Sequence, residues 1–221
     1  MEFLLSALDV VLHLSGYLVD WTARYGPWIY GILFVIVFAE TGLVVTPFLP
    51  GDSLLFVAGS LAALGNIDLA LLLSILFSAA VLGNIVNYEI GRFFGKKMFV
   101  NEKSRWLNPQ HIARTHAFFE RWGGFAVVLA RFVPFLRTYV PFVAGLGAMS
   151  RSTYIGYTVL GAAIWVGSLT LLGYYFGNIP WVKANQGLLV IAIVIVSVIP
   201  VFVGLIKARL SSPKAVETPR S

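Results

Sequence analysis

The 221-residue chain contains no cysteine, and only 12% of its residues carry a charged side chain. The absence of cysteine excludes disulfides, thiolate nucleophiles and thiolate metal sites. Soluble domains carry roughly 25% charged residues, whereas 58% of this chain is hydrophobic. This composition excludes ordinary soluble, disordered and coiled-coil proteins, and it indicates a single polytopic membrane domain.

Signatures of catalysis are also missing. Three histidines without cysteine leave little for a tight zinc or copper site, and the chain has no His-Glu-x-x-His motif, P-loop or dinucleotide fingerprint. Gly51-Asp52-Ser53-Leu54 spells a serine-hydrolase signature, but the Asp-x-x-His partner is absent. We therefore expect no enzymatic activity, no metal and no cofactor. The net charge of +6 is attributed to basic residues on the cytoplasmic side and not to nucleic-acid binding.

Three apolar segments are long enough to be transmembrane helices, which need about 20 residues. They comprise residues 69–95, 153–178 and 187–207. Residues 3–19 are apolar as well, without a basic region before them, and predict a retained helix that either spans the membrane or lies on it. The membrane domain then covers residues 1–210, and the polar tail 211–221 is predicted to be disordered and cytoplasmic.

Two further apolar stretches, 27–66 and 123–149, are too long for one helix and contain prolines near their middles. A proline inside a helix removes a hydrogen bond and costs about 3 kcal/mol. Membrane proteins tolerate such breaks only where protein or trapped water covers the freed backbone groups. Both stretches therefore predict re-entrant helical hairpins, which enter and leave on the same side. The predicted helix breaks are Pro47, Pro50, Gly51, Pro134 and Pro141.

Basic residues indicate the orientation of these elements. Seven of the sixteen Lys and Arg lie between Arg92 and Arg121, mostly in a basic amphipathic segment at 96–122, and four more follow Ile206. The positive-inside rule places both regions, and therefore the C-terminus, in the cytoplasm. The first hairpin then opens to the outside and the second to the cytoplasm.

Short motifs recur in the same order along the two halves of the chain. Phe56-Val57-Ala58-Gly59 recurs as Phe142-Val143-Ala144-Gly145, and Gly91-Arg92-Phe93-Phe94-Gly95 is echoed by Gly173-Tyr174-Tyr175-Phe176-Gly177. The predicted orientation places the copies in opposite directions, so the fold is predicted to be an all-α inverted repeat. It would comprise two proline-broken hairpins and three to four transmembrane helices. Many secondary transporters have this architecture, with sites near the midplane. The alternative is that small and aromatic residues recur in any packed membrane bundle.

Four charged residues lie within the predicted hairpins: Glu40 and Asp52 in the first, Arg131 and Arg137 in the second. A charge at the bilayer centre costs about 2.5–3.5 kcal/mol, so it requires pairing, water or a function. Arginine binds phosphate through a planar, bidentate fork. Arg131 and Arg137 are therefore candidates for substrate binding, and Glu40 and Asp52 for proton coupling. The alternative is an ion-pair latch between the hairpins.

A polar strip on the predicted span 69–95 supplies three further candidates. Asn84, Asn87 and Glu89 lie towards the predicted cytoplasmic end of this span. The two asparagines are candidates for lining a transport pathway. Glu89 could equally extend its carboxylate to the membrane interface.

Two motifs resemble the hairpins of the DedA family. The first is Phe38-Ala39-Glu40-Thr41-Gly42 followed by Pro47-Phe48-Leu49-Pro50-Gly51-Asp52-Ser53, and the second is Arg131-Phe132-Val133-Pro134 with Arg137, Pro141 and Ala144-Gly145. The resemblance implies a multi-pass bacterial inner-membrane protein, from a family implicated in returning undecaprenyl phosphate or phospholipids across the membrane and in dependence on proton motive force. It also implies that the functional charges are Glu40, Asp52, Arg131 and Arg137. Some relatives carry an acid where this chain has Asn84, which argues against a proton relay there.

The sequence thus predicts a proton-motive-force-dependent transporter or flippase for undecaprenyl phosphate or a related anionic lipid. Its partners would be lipid phosphate headgroups and protons, and a homo-oligomer is compatible with the sequence. Two alternatives remain open. One is a proton-coupled exporter of small cations or drugs that uses the acids as binding groups, and the other is a membrane assembly factor that transports nothing.

Overall fold

The computed structural model describes residues 14–43, 51–99, 124–147 and 149–184. These residues form helices joined by turns, and no strand occurs among them. The helices are α1 (Leu14–Tyr25), α2 (Ile29–Gly42), α3 (Gly51–Ala63), α4 (Leu69–Phe99), α5 (Phe125–Ala130), α6 (Pro134–Leu146), α7 (Arg151–Phe176) and α8 (Pro180–Ala184). The predicted all-α membrane fold is confirmed. The predicted span 187–207, the tail 211–221, the basic segment beyond residue 99, and Pro47 and Pro50 lie outside the described residues.

Two predicted spans coincide with long helices. The apolar stretches Leu69–Phe94 in α4 and Arg151–Phe176 in α7 are each 26 residues long. At 1.5 Å per residue each extends about 39 Å, which is enough to cross a hydrocarbon core of about 30 Å. A third apolar stretch of sufficient length, Gly16–Gly42, is divided between α1 and α2 by a 3-10 turn, where Gly26 has a φ of 51°.

The first hairpin consists of α2 and α3, and both of its ends lie at one end of the bundle. After α3 the chain reverses through Gly65, whose φ of 79° is in the region that favours glycine. The hydroxyl of Tyr30, at the start of α2, accepts a 2.7 Å hydrogen bond from the backbone N–H of Asp68, directly before α4. We call this the hairpin 1 end of the bundle.

The second hairpin consists of α5 and α6, separated by a turn at residues 131–133. Gly124, directly before α5, lies against the ring of Tyr157 in the first turns of α7. The helix α6 ends at Leu146, shortly before α7 begins. Both ends of this hairpin are therefore beside the start of α7, which we call the hairpin 2 end of the bundle.

The two prolines of α6 have different effects. Pro134 occupies the first helical position, where its missing N–H is not needed. Pro141 lies inside the helix, so the prediction of a break there is wrong. Pro141 removes the hydrogen bond to the carbonyl of Arg137, and its ring crowds the same carbonyl. Packing against α4 compensates, and the Asn87 side chain donates a 2.9 Å hydrogen bond to the neighbouring carbonyl of Thr138.

The second arm of each hairpin packs against the span of the other half. In the first repeat motif, a Cβ at Gly59 would collide with the backbone carbonyl of Thr170 in α7. Reciprocally, a Cβ at Gly173 would collide with the carbonyl of Phe56. The absence of side chains on both glycines therefore allows α3 and α7 to approach closely.

The contact between α6 and α4 repeats this arrangement. A Cβ at Gly145 would collide with the carbonyl of Tyr88, and a Cβ at Gly91 would collide with the carbonyl of Phe142. The recurring motifs therefore mark equivalent helix contacts, which we call the α3–α7 and α4–α6 glycine contacts.

The two spans run antiparallel. Tyr154, in the first turn of α7, donates a 2.9 Å hydrogen bond to the carbonyl of Asn84, which lies at the middle of α4. Nearer the start of α4, Ser74 borders a groove with Ala163 and Gly167 of α7. The first arm of each hairpin packs on the span of its own half, α2 on α4 and α5 on α7. The two halves of the sequence therefore have equivalent packing and opposite orientations, which is an inverted repeat.

Candidate functional site

The last turn of α2 and the first turns of α3 and α6 meet halfway along the spans. Arg137, in the first turn of α6, donates a 2.6 Å hydrogen bond from Nη1 to Oδ1 of Asp52. Its Nη2 donates to Oε1 of Glu40. The side chains of Arg137, Glu40 and Asp52 are only 6%, 0% and 14% exposed. Both acids of the first hairpin are thus paired with one arginine of the second.

The end of α2 and the start of α3 position both acids. Glu40 lies in the last turn of α2, and Asp52 lies in the first turn of α3, where the helix dipole favours a negative charge. The backbone N–H of Gly51 donates a 3.3 Å hydrogen bond to Oε1 of Glu40. A Cβ at Gly51 would collide with the Glu40 carboxylate. Gly51, predicted as a helix break, therefore also leaves room for this carboxylate.

Trp165 completes the cluster, and it is not among the site residues predicted from the sequence. Its Nε1 donates a 2.9 Å hydrogen bond to the same Oδ1 of Asp52 that Arg137 contacts. The guanidinium carbon of Arg137 lies 5.4 Å from the centroid of the indole ring, within range of a cation–π interaction. A tryptophan in the middle of an apolar span is a signal that could have found it. A buried tryptophan usually requires a hydrogen-bond partner for its N–H, so its position indicates a nearby acceptor.

Arg131 has different surroundings. It lies at the turn between α5 and α6, it is 2% exposed, and its side chain packs against Gly161 of α7. Its Nε and Nη2 atoms have no hydrogen-bond partner among the described residues. The expectation of two carboxylates facing two guanidiniums is therefore wrong, because the helix restart at Pro134 directs the two arginines to different neighbours.

The three polar candidates of the first span have separate roles in the structure. Asn87 is fully buried, and its Nδ2 donates to the carbonyls of Thr41 at 3.1 Å and Thr138 at 2.9 Å, so it joins both hairpins to α4. Asn84 is buried nearby. Glu89 lies at the hairpin 2 end, where it forms an exposed ion pair of 2.8 Å with Arg151, and it does not take part in the central cluster.

The cluster combines one guanidinium that is paired with two carboxylates and another whose Nε and Nη2 have no partner among the described residues. Arg131 and Arg137 are close enough for their charges to repel. Phosphate and carboxylate oxygens accept hydrogen bonds from the same guanidinium donors. An anionic group that reached the cluster would therefore find donors on Arg131 and would compete with Glu40 and Asp52 for Arg137. Among the described residues, no three His, Asp or Glu side chains come together as a metal site.

The chain is similar to known proteins over nearly its whole length. The model of the VTT domain matches residues 49–175. Protein DedA of Escherichia coli K12 is 46% identical over 217 residues, which cover 97% of this chain and 99% of that protein. An uncharacterized membrane protein of Mycobacterium leprae is 43% identical over 76% of each chain, and the inner membrane protein YghB of Escherichia coli K12 is 35% identical over 72% of each. No solved structure matches. These similarities confirm the family that the hairpin motifs indicated: the chain belongs to the DedA family of VTT-domain inner-membrane proteins.

Proposed function

We propose that the protein transports a phosphate-bearing lipid, undecaprenyl phosphate or a related anionic lipid, across the inner membrane and that proton movement drives the transport. The central observation is the pair of buried arginines. Arg137 is held by two carboxylates, while Arg131 keeps two buried nitrogens without a partner among the described residues. The hairpin junction would bind the lipid headgroup.

The Nε and Nη2 atoms of Arg131, which have no hydrogen-bond partner among the described residues, support an anionic ligand. Burying a charge without a partner is costly, and an anion that accepts its hydrogen bonds would offset this cost. A phosphate group offers several acceptor oxygens to the guanidinium fork. The hydrocarbon tail would stay among the apolar surfaces of the helices while the phosphate lies at the cluster.

The two carboxylates provide a reason for coupling to protons. A protonated Glu40 or Asp52 has lost its negative charge, so it binds Arg137 less strongly and leaves this guanidinium available to phosphate. Deprotonation restores the ion pairs and displaces the lipid. The buried Oε2 of Glu40, which has no hydrogen-bond donor among the described residues, is a position where a proton can bind.

Alternating access would come from the movement of two units, each of which contains helices from both halves of the sequence. Asn87 and the α4–α6 glycine contact join α2, α4 and α6, whereas the α3–α7 glycine contact and the packing of α5 on α7 join the other three. The Asp52–Arg137 ion pair connects the two units. Rocking of one unit against the other would open and close this ion pair. The moving bodies would be these two units and not the two halves of the sequence.

Reconstitution tests the proposal directly. The purified protein is inserted into vesicles of phosphatidylethanolamine and phosphatidylglycerol that contain a fluorescent polyprenyl phosphate, and an imposed proton gradient starts the reaction. We expect transport by the wild type and its loss in Arg131→Ala and Glu40→Ala, while Arg151→Ala, at the exposed ion pair, transports normally. Wild-type vesicles without lipid movement, or normal transport by Arg131→Ala, would contradict the proposal.

Replacement by lysine separates phosphate binding from the rival functions. Lysine keeps the charge but cannot form the bidentate contact, so Arg131→Lys should lower the rate at least tenfold. Transport of small organic cations that compete with protons, with no response to lipid phosphate, would instead indicate a cation exporter. Retained cellular function after replacement of all four buried charges by apolar residues would indicate an assembly factor.

A further inference from the structure

We infer that Thr158 of α7 is a further substrate-binding residue, whose hydroxyl donates a hydrogen bond to the lipid phosphate beside Arg131. The inference rests on the proposed function and extends it to a residue that carries no charge. Thr158 is fully buried. Its Oγ1 has no hydrogen-bond partner among the described residues.

The position of Thr158 on α7 places its side chain beside Arg131. A Cβ at Gly161, one turn further along α7, would lie 3.0 Å from Cδ and 3.2 Å from Nε of Arg131. Tyr154, one turn earlier, is close enough to Arg131 for an electrostatic interaction between the two side chains. Residues three or four apart lie on the same face of a helix. Thr158 therefore lies between these two residues, on the face of α7 that is turned towards Arg131.

The hydroxyl of Thr158 differs from that of an ordinary helical threonine. Such a hydroxyl commonly donates to the carbonyl four residues earlier, as Thr41 does to Val37 at 2.8 Å, whereas Thr158 makes no such bond. Its Oγ1 lies near the hydroxyl of Tyr154, which donates its own proton to the carbonyl of Asn84. A bond between the two hydroxyls would join neutral groups, and a charged phosphate oxygen is the stronger acceptor.

The two side chains together present a set of buried donors to one ligand. Arg131 contributes Nε and Nη2, Thr158 contributes its hydroxyl, and none of these three atoms has a partner among the described residues. Buried donors that make no hydrogen bond are unfavourable, and a phosphate has enough acceptor oxygens to satisfy all three. An organic ammonium ion carries donors only, so it would satisfy none of them. The set of donors therefore favours an anion.

The test compares Thr158→Val, which removes the hydroxyl and keeps the branched shape, with Thr158→Ser, which keeps the hydroxyl. Thr170→Val is the matched control, because Thr170 of α7 is also fully buried and its Oγ1 also has no partner among the described residues. Transport of the fluorescent polyprenyl phosphate is measured over a range of its membrane concentrations. We expect Thr158→Val to raise KM about tenfold, the effect of losing one hydrogen bond to a charged group. The other two variants should match the wild type.

Thermal unfolding in detergent gives a second measurement that needs no transport. Without lipid, both valine variants should unfold at the wild-type temperature or above it, because each loses a buried hydroxyl that lacks a partner. Added polyprenyl phosphate should raise the unfolding temperature of the wild type, since a ligand stabilises the folded state that it binds. It should raise the unfolding temperature of Thr158→Val much less.

An unchanged KM and full stabilisation by the lipid in Thr158→Val would overturn the inference and leave the proposed function standing. A lower unfolding temperature of Thr158→Val without lipid would show that the hydroxyl supports the fold, and it would overturn the inference as well. Wild-type protein that neither transports polyprenyl phosphate nor is stabilised by it would overturn both the inference and the proposed function.

Discussion

Two ion pairs of similar length connect the two units of the bundle, and they lie in opposite surroundings. Asp52 and Arg137 are 2.6 Å apart at the hairpin junction, and Glu89 and Arg151 are 2.8 Å apart at the hairpin 2 end. The first pair has side chains that are 14% and 6% exposed, and the second has side chains that are 39% and 59% exposed. The distance alone therefore does not identify a functional pair, whereas burial and further partners do.

The largest effect is expected for Arg137→Ala. The substitution leaves Glu40 and Asp52 as two buried acids without their shared cation, and breaking a buried pair in this way typically costs about 3–5 kcal/mol. We expect a large fall in unfolding temperature in detergent and no lipid transport. A variant as stable as the wild type would show that water reaches the junction and that the comparison above is wrong.

The next largest effect is expected for Gly59→Ala, which changes the backbone contact between α3 and α7. The added methyl group would collide with the carbonyl of Thr170, and overpacking of this kind costs about 1–3 kcal/mol. Thermal unfolding should show the loss. Gly156→Ala is the matched control, because a Cβ at Gly156 on the same span meets nothing within 4 Å, and equal effects of both substitutions would argue against the α3–α7 glycine contact.

Arg131→Met should separate stability from function. Methionine fills a similar volume, and it removes a buried guanidinium that lacks partners for Nε and Nη2 among the described residues. We expect an unfolding temperature equal to or above that of the wild type, together with loss of transport in vesicles. A marked loss of stability would mean that Arg131 is a structural residue.

The smallest effect is expected for Arg151→Ala. An exposed ion pair contributes little, because water and salt replace the partner. Thermal unfolding and transport should both match the wild type. Glu89→Gln tests the other partner of the pair, and a transport defect in either variant would assign a role in the conformational cycle to the hairpin 2 end.

Much of the fold could be predicted from the sequence, because the membrane restricts the choices. The lengths of the apolar segments located α4 and α7, and the proline-containing stretches located the hairpins. The motif pairs around Gly59 and Gly145 predicted an inverted repeat. They did not predict that each second arm packs on the opposite span, because a recurring glycine indicates a close contact without naming its partner.

The candidate site could be predicted only in part. Complementary charge was sufficient to bring Glu40 and Asp52 together with Arg137. Complementary charge could not show which of Arg131 and Arg137 pairs with the acids, because the directions of their side chains depend on where α6 begins. Trp165 was missed because nothing in an apolar span shows which face of the helix is buried against a carboxylate. The sequence does not separate the two interpretations of Glu89, and the structure places it in an exposed ion pair with Arg151.

The second arm of each hairpin packs on the span of the other half of the chain, and this arrangement has a consequence for biosynthesis. While the first half of the chain is being inserted, α3 has not yet met α7, and the close-approach surface of α4 around Gly91 has no α6 to cover it. We therefore expect the first half to complete its packing only after α6 and α7 have entered the bilayer. A fragment ending before α5 should therefore depend on a co-expressed second fragment to escape membrane quality control.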